Sequence, residues 1–140
     1  DSAAVVAGDD RVLIYDVKET PELQQTISLN KKVKSVFYNQ RYIGLILKNE
    51  GKAGYELRLY NVQGQEVLSA DFTGDYSNVK LDGNQVIMYD GKKCSVFTRS
   101  GIHKFEGELG KDILEMVSTF GVNKYIVMNA DGMEVVRFVK

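Results

Sequence analysis

At 140 residues the chain has the length of one ordinary domain, and its 44% hydrophobic content is enough to bury a core. The formal charge is −1, with 18 Lys and Arg against 19 Asp and Glu in even scatter, so no long-range field draws it to nucleic acid or an anionic membrane. Within these residues no apolar run nears the ~20 needed to span a bilayer, and a single cysteine, Cys94, excludes an internal disulfide framework.

Nearly every apolar segment is short, alternating or β-branched and is bounded by Gly, Asn or Asp, which is strand-and-hairpin sequence. The first partial unit reads as three strands: Ala3 to Ala7, Arg11 to Val17 and Gln25 to Leu29. Between the last two, the segment from Pro21 to Gln25 reads as an extended hairpin loop, with a single helical turn capped by Thr20 as the alternative. A full unit follows, with strands at Val33 to Tyr38, Tyr42 to Leu47, Tyr55 to Val62 and a fourth ending at Phe72.

The next unit repeats the plan with Tyr76 to Leu81, Gln85 to Tyr89, Lys93 to Arg99 and His103 to Leu109. Its turns hold Asp82-Gly83, Asp90-Gly91 and Ser100-Gly101, where Gly supplies the positive φ of tight hairpins. A last unit runs through Ile113 to Thr119, Lys124 to Met128 and Glu134 to Lys140.

One aromatic recurs in this plan, at Tyr15, Tyr60, Phe97 and Phe138, with steps of 45, 37 and 41 residues. The strand-closing residues Leu29, Phe72 and Leu109 and the strand-opening residues Val33, Tyr76 and Ile113 share steps of 43 and 37. A strand-rich repeat of about 40 residues is the mark of a propeller blade. The expected fold is therefore all-β: a partial β-propeller of four-stranded antiparallel blades, about three and a half blades or 14 strands. Residues 1–140 form a single domain, divided into a partial blade at 1–29, blades at 33–72 and 76–109, and a partial blade at 113–140.

Propellers close with about four to eight blades, so this chain reads as the C-terminal part of a larger ring. On that expectation Lys140 lies near a natural C-terminus and Asp1 is a trimmed or engineered start. The alternatives are a half-ring that assembles with a second copy through open blade edges, and a β-sandwich or open sheet that mimics the repeat.

The segments Leu13-Ile14-Tyr15-Asp16-Val17 and Leu59-Tyr60-Asn61-Val62-Gln63-Gly64-Gln65-Glu66 resemble the third strand of WD40 and quinoprotein-like propeller repeats. The Gly-His and Trp-Asp pairs usual in WD40 blades are missing. The pattern is more similar to divergent, Tyr-rich extracytoplasmic propeller domains of Gram-positive bacteria. That resemblance implies a domain held outside a bacterial membrane by an N-terminal anchor, presenting loops to a protein or carbohydrate partner. Other functions open to such a fold are an intracellular WD40-type interaction scaffold and a piece of a propeller enzyme whose active site lies on further blades.

Candidate chemistry is sparse, and the expectation is no enzyme, no cofactor, no metal and no assigned binding residue. His103 is the only histidine and reads as a solvent-facing turn residue. Cys94 occupies the strand position of Val12 and Leu57 and reads as a small buried hydrophobe rather than a reactive thiol. Asn129-Ala130-Asp131-Gly132 reads as a hairpin turn lacking the ligands of a calcium loop. Neither Gly51-Lys52 nor Gly110-Lys111 has the spacing of a phosphate loop.

The recurring aromatics read as packing between adjacent sheets, and Met88, Met116, Met128 and Met133 as gap-filling core. Tyr38, Tyr42, Tyr76, Tyr89 and Tyr125 fall at strand ends, where one or two are expected at the surface. Lys31, Lys32 and Lys34 form the densest positive cluster. Asp71, Asp75, Glu106, Glu108 and Asp112 occupy the corresponding connections of later repeats, so the cluster reads as a solvated loop, with a docking rim as the sharper alternative.

Overall fold

A computed structural model of the chain describes residues 3–7, 11–16, 22–119 and 121–138. They form fourteen strands in four antiparallel sheets and no helix. The first sheet holds β1 (Ala3–Ala7), β2 (Arg11–Asp16) and β3 (Glu22–Ser28). The second holds β4 (Val33–Tyr38), β5 (Tyr42–Lys48), β6 (Tyr55–Asn61) and β7 (Glu66–Phe72). In the third are β8 (Asn78–Asp82), β9 (Gln85–Asp90), β10 (Lys93–Thr98) and β11 (His103–Glu108). The fourth comprises β12 (Glu115–Ser118), β13 (Lys124–Asn129) and β14 (Gly132–Arg137). Each sheet is a meander in chain order, the construction of a propeller blade.

The chain divides into two compact units, Asp1–Gly74 and Asp75–Lys140. In the first, Ile27 and Leu29 pack on Ile43, Leu45, Leu47 and Tyr60. In the second, Ile87, Tyr89, Cys94 and Val96 of the third sheet pack on Met116, Tyr125, Val127 and Phe138 of the fourth sheet and its end. The central strands β5, β6, β9 and β10 are buried on both faces, so β5 and β9 read as near-continuous apolar runs, whereas β6 alternates Glu56 and Arg58 with Leu57 and Leu59.

Hydrogen bonds between sheets fix which ends meet in the second unit. The Tyr125 hydroxyl donates to Gln85 Oε1, the Ser118 amide donates to Asp82 Oδ2 at 2.5 Å, and Lys80 Nζ donates to Glu115 Oε1 at 2.5 Å. The β8–β9 and β12–β13 turns therefore lie at the same end of their sheets.

The recurring aromatic marks a backbone irregularity that its side chain does not announce. Pairing slips between Ile14 and Tyr15, between Leu59 and Tyr60, and between Val96 and Phe97. In each case one residue of the last strand is passed over: Gln24, Val67 and Lys104, which stand 43 and 37 apart. A bulge of this kind bends the strand and increases local twist. It recurs with the same spacing as the strand-closing residues.

Two expectations about strand register change. Glu22 to Gln25 belong to β3 and are not a loop, because the bulged pairing carries β3 back to Glu22 opposite Asp16; Thr20 and Pro21 lie outside the described residues. Phe138 does not hold the register position of Phe97. Counting from the two-residue turns, Phe97 opposite Val86 corresponds to Val136 opposite Tyr125. Phe138 lies two residues further on, past β14, and keeps the inward face by that even offset, stacking on Phe105 at 3.4 Å between centroids. The side chain of Tyr15 lies outside the described residues.

Gly44 shows how tightly the first unit is filled. It pairs with Phe37, whose ring lies where a side chain at residue 44 would begin, 2.2 Å from the site of a Cβ. Gly44→Ala must displace a buried ring in a packed sheet, an overpacking change that costs about 1–3 kcal/mol. Calorimetry of Gly44→Ala is expected to show a thermal midpoint several degrees lower; an unchanged midpoint would show that the ring moves freely.

Candidate functional site

The strongest polar constellation in the first unit is built on β6, where Glu56, Arg58 and Tyr60 share a face by strand alternation. Glu56 is buried, and its carboxylate receives Lys31 Nζ at 2.7 Å, Arg58 Nε at 2.8 Å, Arg58 Nη2 at 3.0 Å and the Ser69 hydroxyl at 2.5 Å. Arg58 is also within 3.4 Å of the Tyr60 hydroxyl and of Asn30 Oδ1, while Lys31 donates to Asn49 at 2.8 Å. The bidentate Arg58 bonds, followed by those of Lys31 and Ser69, hold the Glu56 carboxyl down at about 2 against the pull of burial. A carboxylate so saturated has no lone pair left for a substrate proton. Its work is to tie β6 and β7 to the connection before β4.

The lysine cluster is thereby split. Lys31 turns inward to Glu56, Lys34 lies 4.9 Å over the Tyr55 ring, and Lys32 is exposed. The later acids are likewise engaged in part: Asp71 accepts from Lys52 at 3.2 Å, and Glu106 lies 3.5 Å from His103. Asp75, Glu108 and Asp112 are exposed.

In the second unit, Ser95, His103 and Glu106 superficially form a nucleophile–base–acid set. Ser95 Oγ is 2.8 Å from His103 Nε2, but Glu106 approaches that same nitrogen at 3.5 Å. A catalytic triad needs the acid on the opposite ring nitrogen, where it orients the base. Ser95 is 1% exposed, so no substrate carbonyl reaches it. The imidazole stacks on Phe97 at 4.3 Å between centroids and 5° between planes, which makes it a packing element at the start of β11. Ser95 also bonds Tyr76, whose hydroxyl burial pushes up. Sequence alone left His103 without a partner; the strand register that brings Ser95 beside it was the missing information.

Cys94 is fully buried, and burial pushes its thiol up to about 11, away from the reactive thiolate. Asn129 closes the β13–β14 turn by accepting from the Asp131 amide at 2.9 Å, an Asx turn. Lys111 reaches Asp131 at 2.6 Å and Glu134 at 3.9 Å. Among the described residues no group of three or more His, Cys, Asp or Glu is gathered closely enough to hold a metal ion. A groove of about 220 Å³ runs over Leu109, Val127 and Val136 between Lys111, Asn129 and Glu134. It is smaller than the roughly 300–1,000 Å³ of a typical ligand cleft. Met88 and Met116 are core as expected, but Met128 and Met133 are not: they pair across β13–β14 and both are exposed, 43% and 69%.

The exposed apolar residues form a more distinctive pattern. Tyr38 (69% exposed) is the last residue of β4, at the β4–β5 turn, Ile102 (61%) lies on the β10–β11 turn and Val122 (74%) on the β12–β13 turn. In a meander the first and third turns fall at one end of the sheet. The opposite ends carry Lys31, Lys32, Glu50 and Lys52 in the first unit and Lys92, Lys111, Asp112 and Asp131, with the exposed Leu114, in the second, while Arg41 and Arg99 are exposed on the turns beside Tyr38 and Ile102. Among the residues whose burial is described, Tyr38 is the one exposed Phe or Tyr.

The acid response of the first unit tests the Glu56 network. A carboxyl held near 2 when folded and near 4.5 otherwise stabilises fully above pH 4.5, and that contribution fades as the pH falls towards 2. Urea unfolding from pH 6 down to pH 2.5 is expected to cost the wild type about 2 kcal/mol more than Glu56→Gln. Equal acid losses in both proteins would show that the carboxylate is not held by these partners.

Among structures of known proteins, the chain is similar to BBS1N, solved in complex with ARL6DN, with a TM-score of 0.61 and 14% identity over 96% of this chain and 46% of that one. It is also similar to HIRA(644-1017), with a TM-score of 0.56 and 12% identity over 94% of this chain and 46% of that one. Both are propeller proteins, and at these identities the likeness is one of fold. The chain spans just under half the length of either. No curated protein matches it. A family of unknown function, DUF5711, matches residues 1–138, and the chain belongs to that family.

Proposed function

We propose that this chain is a non-catalytic propeller module that binds another protein through the turns at one end of its blades, on the outer side of a bacterial membrane. The observation that carries this reading is the placement of Tyr38, Ile102 and Val122. All three are exposed and apolar, and each lies at the end of its own sheet where the first and third turns fall, although Leu114 is also exposed at the other end beside Lys111 and Asp112. Exposed apolar residues on turns held by packed sheets suit a contact surface, and Ile102 and Val122 lie at the same end of the third and fourth sheets, which the bonds of Ser118 and Tyr125 join. A protein is favoured over a sugar, because sugar binding calls for stacking rings and Tyr38 is the one exposed Phe or Tyr among the residues whose burial is described. The saturated bonding of Glu56, the closed position of Ser95 and the inert thiol of Cys94 favour a role without catalysis. Resemblance to Tyr-rich extracytoplasmic propellers supports the location.

Photo-crosslinking residues introduced at Tyr38, Ile102 and Val122, with controls at Lys92 and Ala130, test this in cells that make the protein. Crosslinks to one protein partner are expected from the first set and not the second. Equal yields from both ends would overturn the reading. Protease added to intact cells is expected to degrade the module; protection would place it inside.

A further inference from the structure

One face of β13–β14 lies away from the core of the second unit. Strand alternation sends Tyr125 and Val127 into that core and puts Lys124, Ile126 and Met128 on the other side. Their partners across the ladder are Arg137, Val135 and Met133. The face is thus an apolar strip with two cations at one end. Met133 and Val135 are largely exposed, Met128 less so, and Arg137 is exposed as well.

Nothing in the sheet accounts for the two cations. Lys124 and Arg137 stand directly opposite one another, where like charges repel and weaken the ladder. Neither has a carboxylate partner among the described residues. The stem of Lys124 lies against the β12–β13 turn, since a Cβ at Gly121 would stand 3.0 Å from its Cδ. Counting from the two-residue turns, the third sheet holds Gln85 opposite Thr98 at these positions, a neutral pair. There Gln85 accepts the Tyr125 hydroxyl of the fourth sheet. Contact between sheets is made by neutral groups at this place, whereas opposed cations suit an anion.

We infer that the β13–β14 face receives an acidic, apolar segment of the protein partner. An Asp or Glu carboxylate of that segment sits between Lys124 and Arg137 and offsets their repulsion, and its apolar side chains cover Ile126, Met128, Met133 and Val135. The strip adjoins the turn that carries Val122, so it extends the contact surface already proposed and rests on the reading of the chain as a protein-binding module. An anionic membrane is a poorer fit, because such surfaces are recognised by clusters of about four to eight Lys or Arg.

A photo-crosslinking residue at Met133, in cells that make the protein, tests this beside those at Tyr38 and Ile102. Mass spectrometry of the Met133 product is expected to give a partner peptide with Asp or Glu within a few residues of an apolar run. Arg137→Glu is expected to lower that yield about tenfold or more. Neutralising the partner's acid, by Glu→Gln or Asp→Asn, is expected to lower it likewise. The same Arg137→Glu replaces repulsion with attraction to Lys124, so calorimetry of the chain at low salt is expected to show a midpoint higher by about 1–3 °C. Crosslinks from Tyr38 and Ile102 without one from Met133 would overturn this inference and leave the binding role standing; none from any position would overturn both. A Met133 product with lipid, with an acid-free peptide or with the chain's own residues would overturn it, as would a yield indifferent to Arg137→Glu. An unchanged or lower midpoint would remove the repulsion on which it rests.

Discussion

Burial of both faces of the middle strands is the constraint from which the rest of this structure follows. Leu45, Leu47, Leu57 and Leu59 in the first unit, and Val86, Ile87, Met88, Cys94 and Val96 in the second, have no exposed surface. Each such aliphatic side chain contributes about 1.5–3 kcal/mol when withdrawn from water. A meander with two oily faces cannot stand alone, and stacking against a like neighbour satisfies it with the same pattern repeated. The repeat length and the tight Gly-containing turns serve that stacking, and the one charged pair inside a middle strand, Glu56 with Arg58, is neutralised within its own sheet.

Polar contacts select which stacking occurs. A buried ion pair such as Glu56 with Arg58 and Lys31 gives back in attraction much of what its desolvation costs, so its net effect on stability is small, whereas removing one partner is severe. The bonds from Lys80 and Tyr89 to Glu115 act in the same sense in the second unit, since Glu115 accepts both only when the two sheets meet in one register. Burial, with Glu115 nearby, pushes the Tyr89 hydroxyl up to about 12, and it stays a donor at every physiological pH. Apolar faces supply the attraction; these few groups fix the alignment.

Much of this frame can be read from the amino-acid order, for physical reasons. Turn glycines after Asp or Ser, and apolar runs of five to seven residues, mark strand ends locally, so β4 to β11 fall within two or three residues of where composition puts them. Cys94 is legible as buried because Val12 and Leu57 precede it at the same place. What stays hidden depends on pairing across strands. The extra residues Gln24, Val67 and Lys104 look like any others until the ladder shows them skipped. Phe138 mimics Phe97 in sequence, yet it sits two residues beyond the matching register position. Glu56 and Arg58 stand two apart in an otherwise aliphatic strand, a visible signal, but the inward turn of Lys31 that completes their network is a matter of the fold.

The location of Cys94 has a consequence for how motion in the second unit can be observed. It belongs to the same buried cluster as Val127 and Phe138 of the fourth sheet and its end, with no surface open to solvent and a thiol that resists ionisation. Any reagent that alkylates it must wait for the sheets to part. The chain therefore carries a built-in timer: the pace of that single chemical event counts how often two neighbouring blades separate.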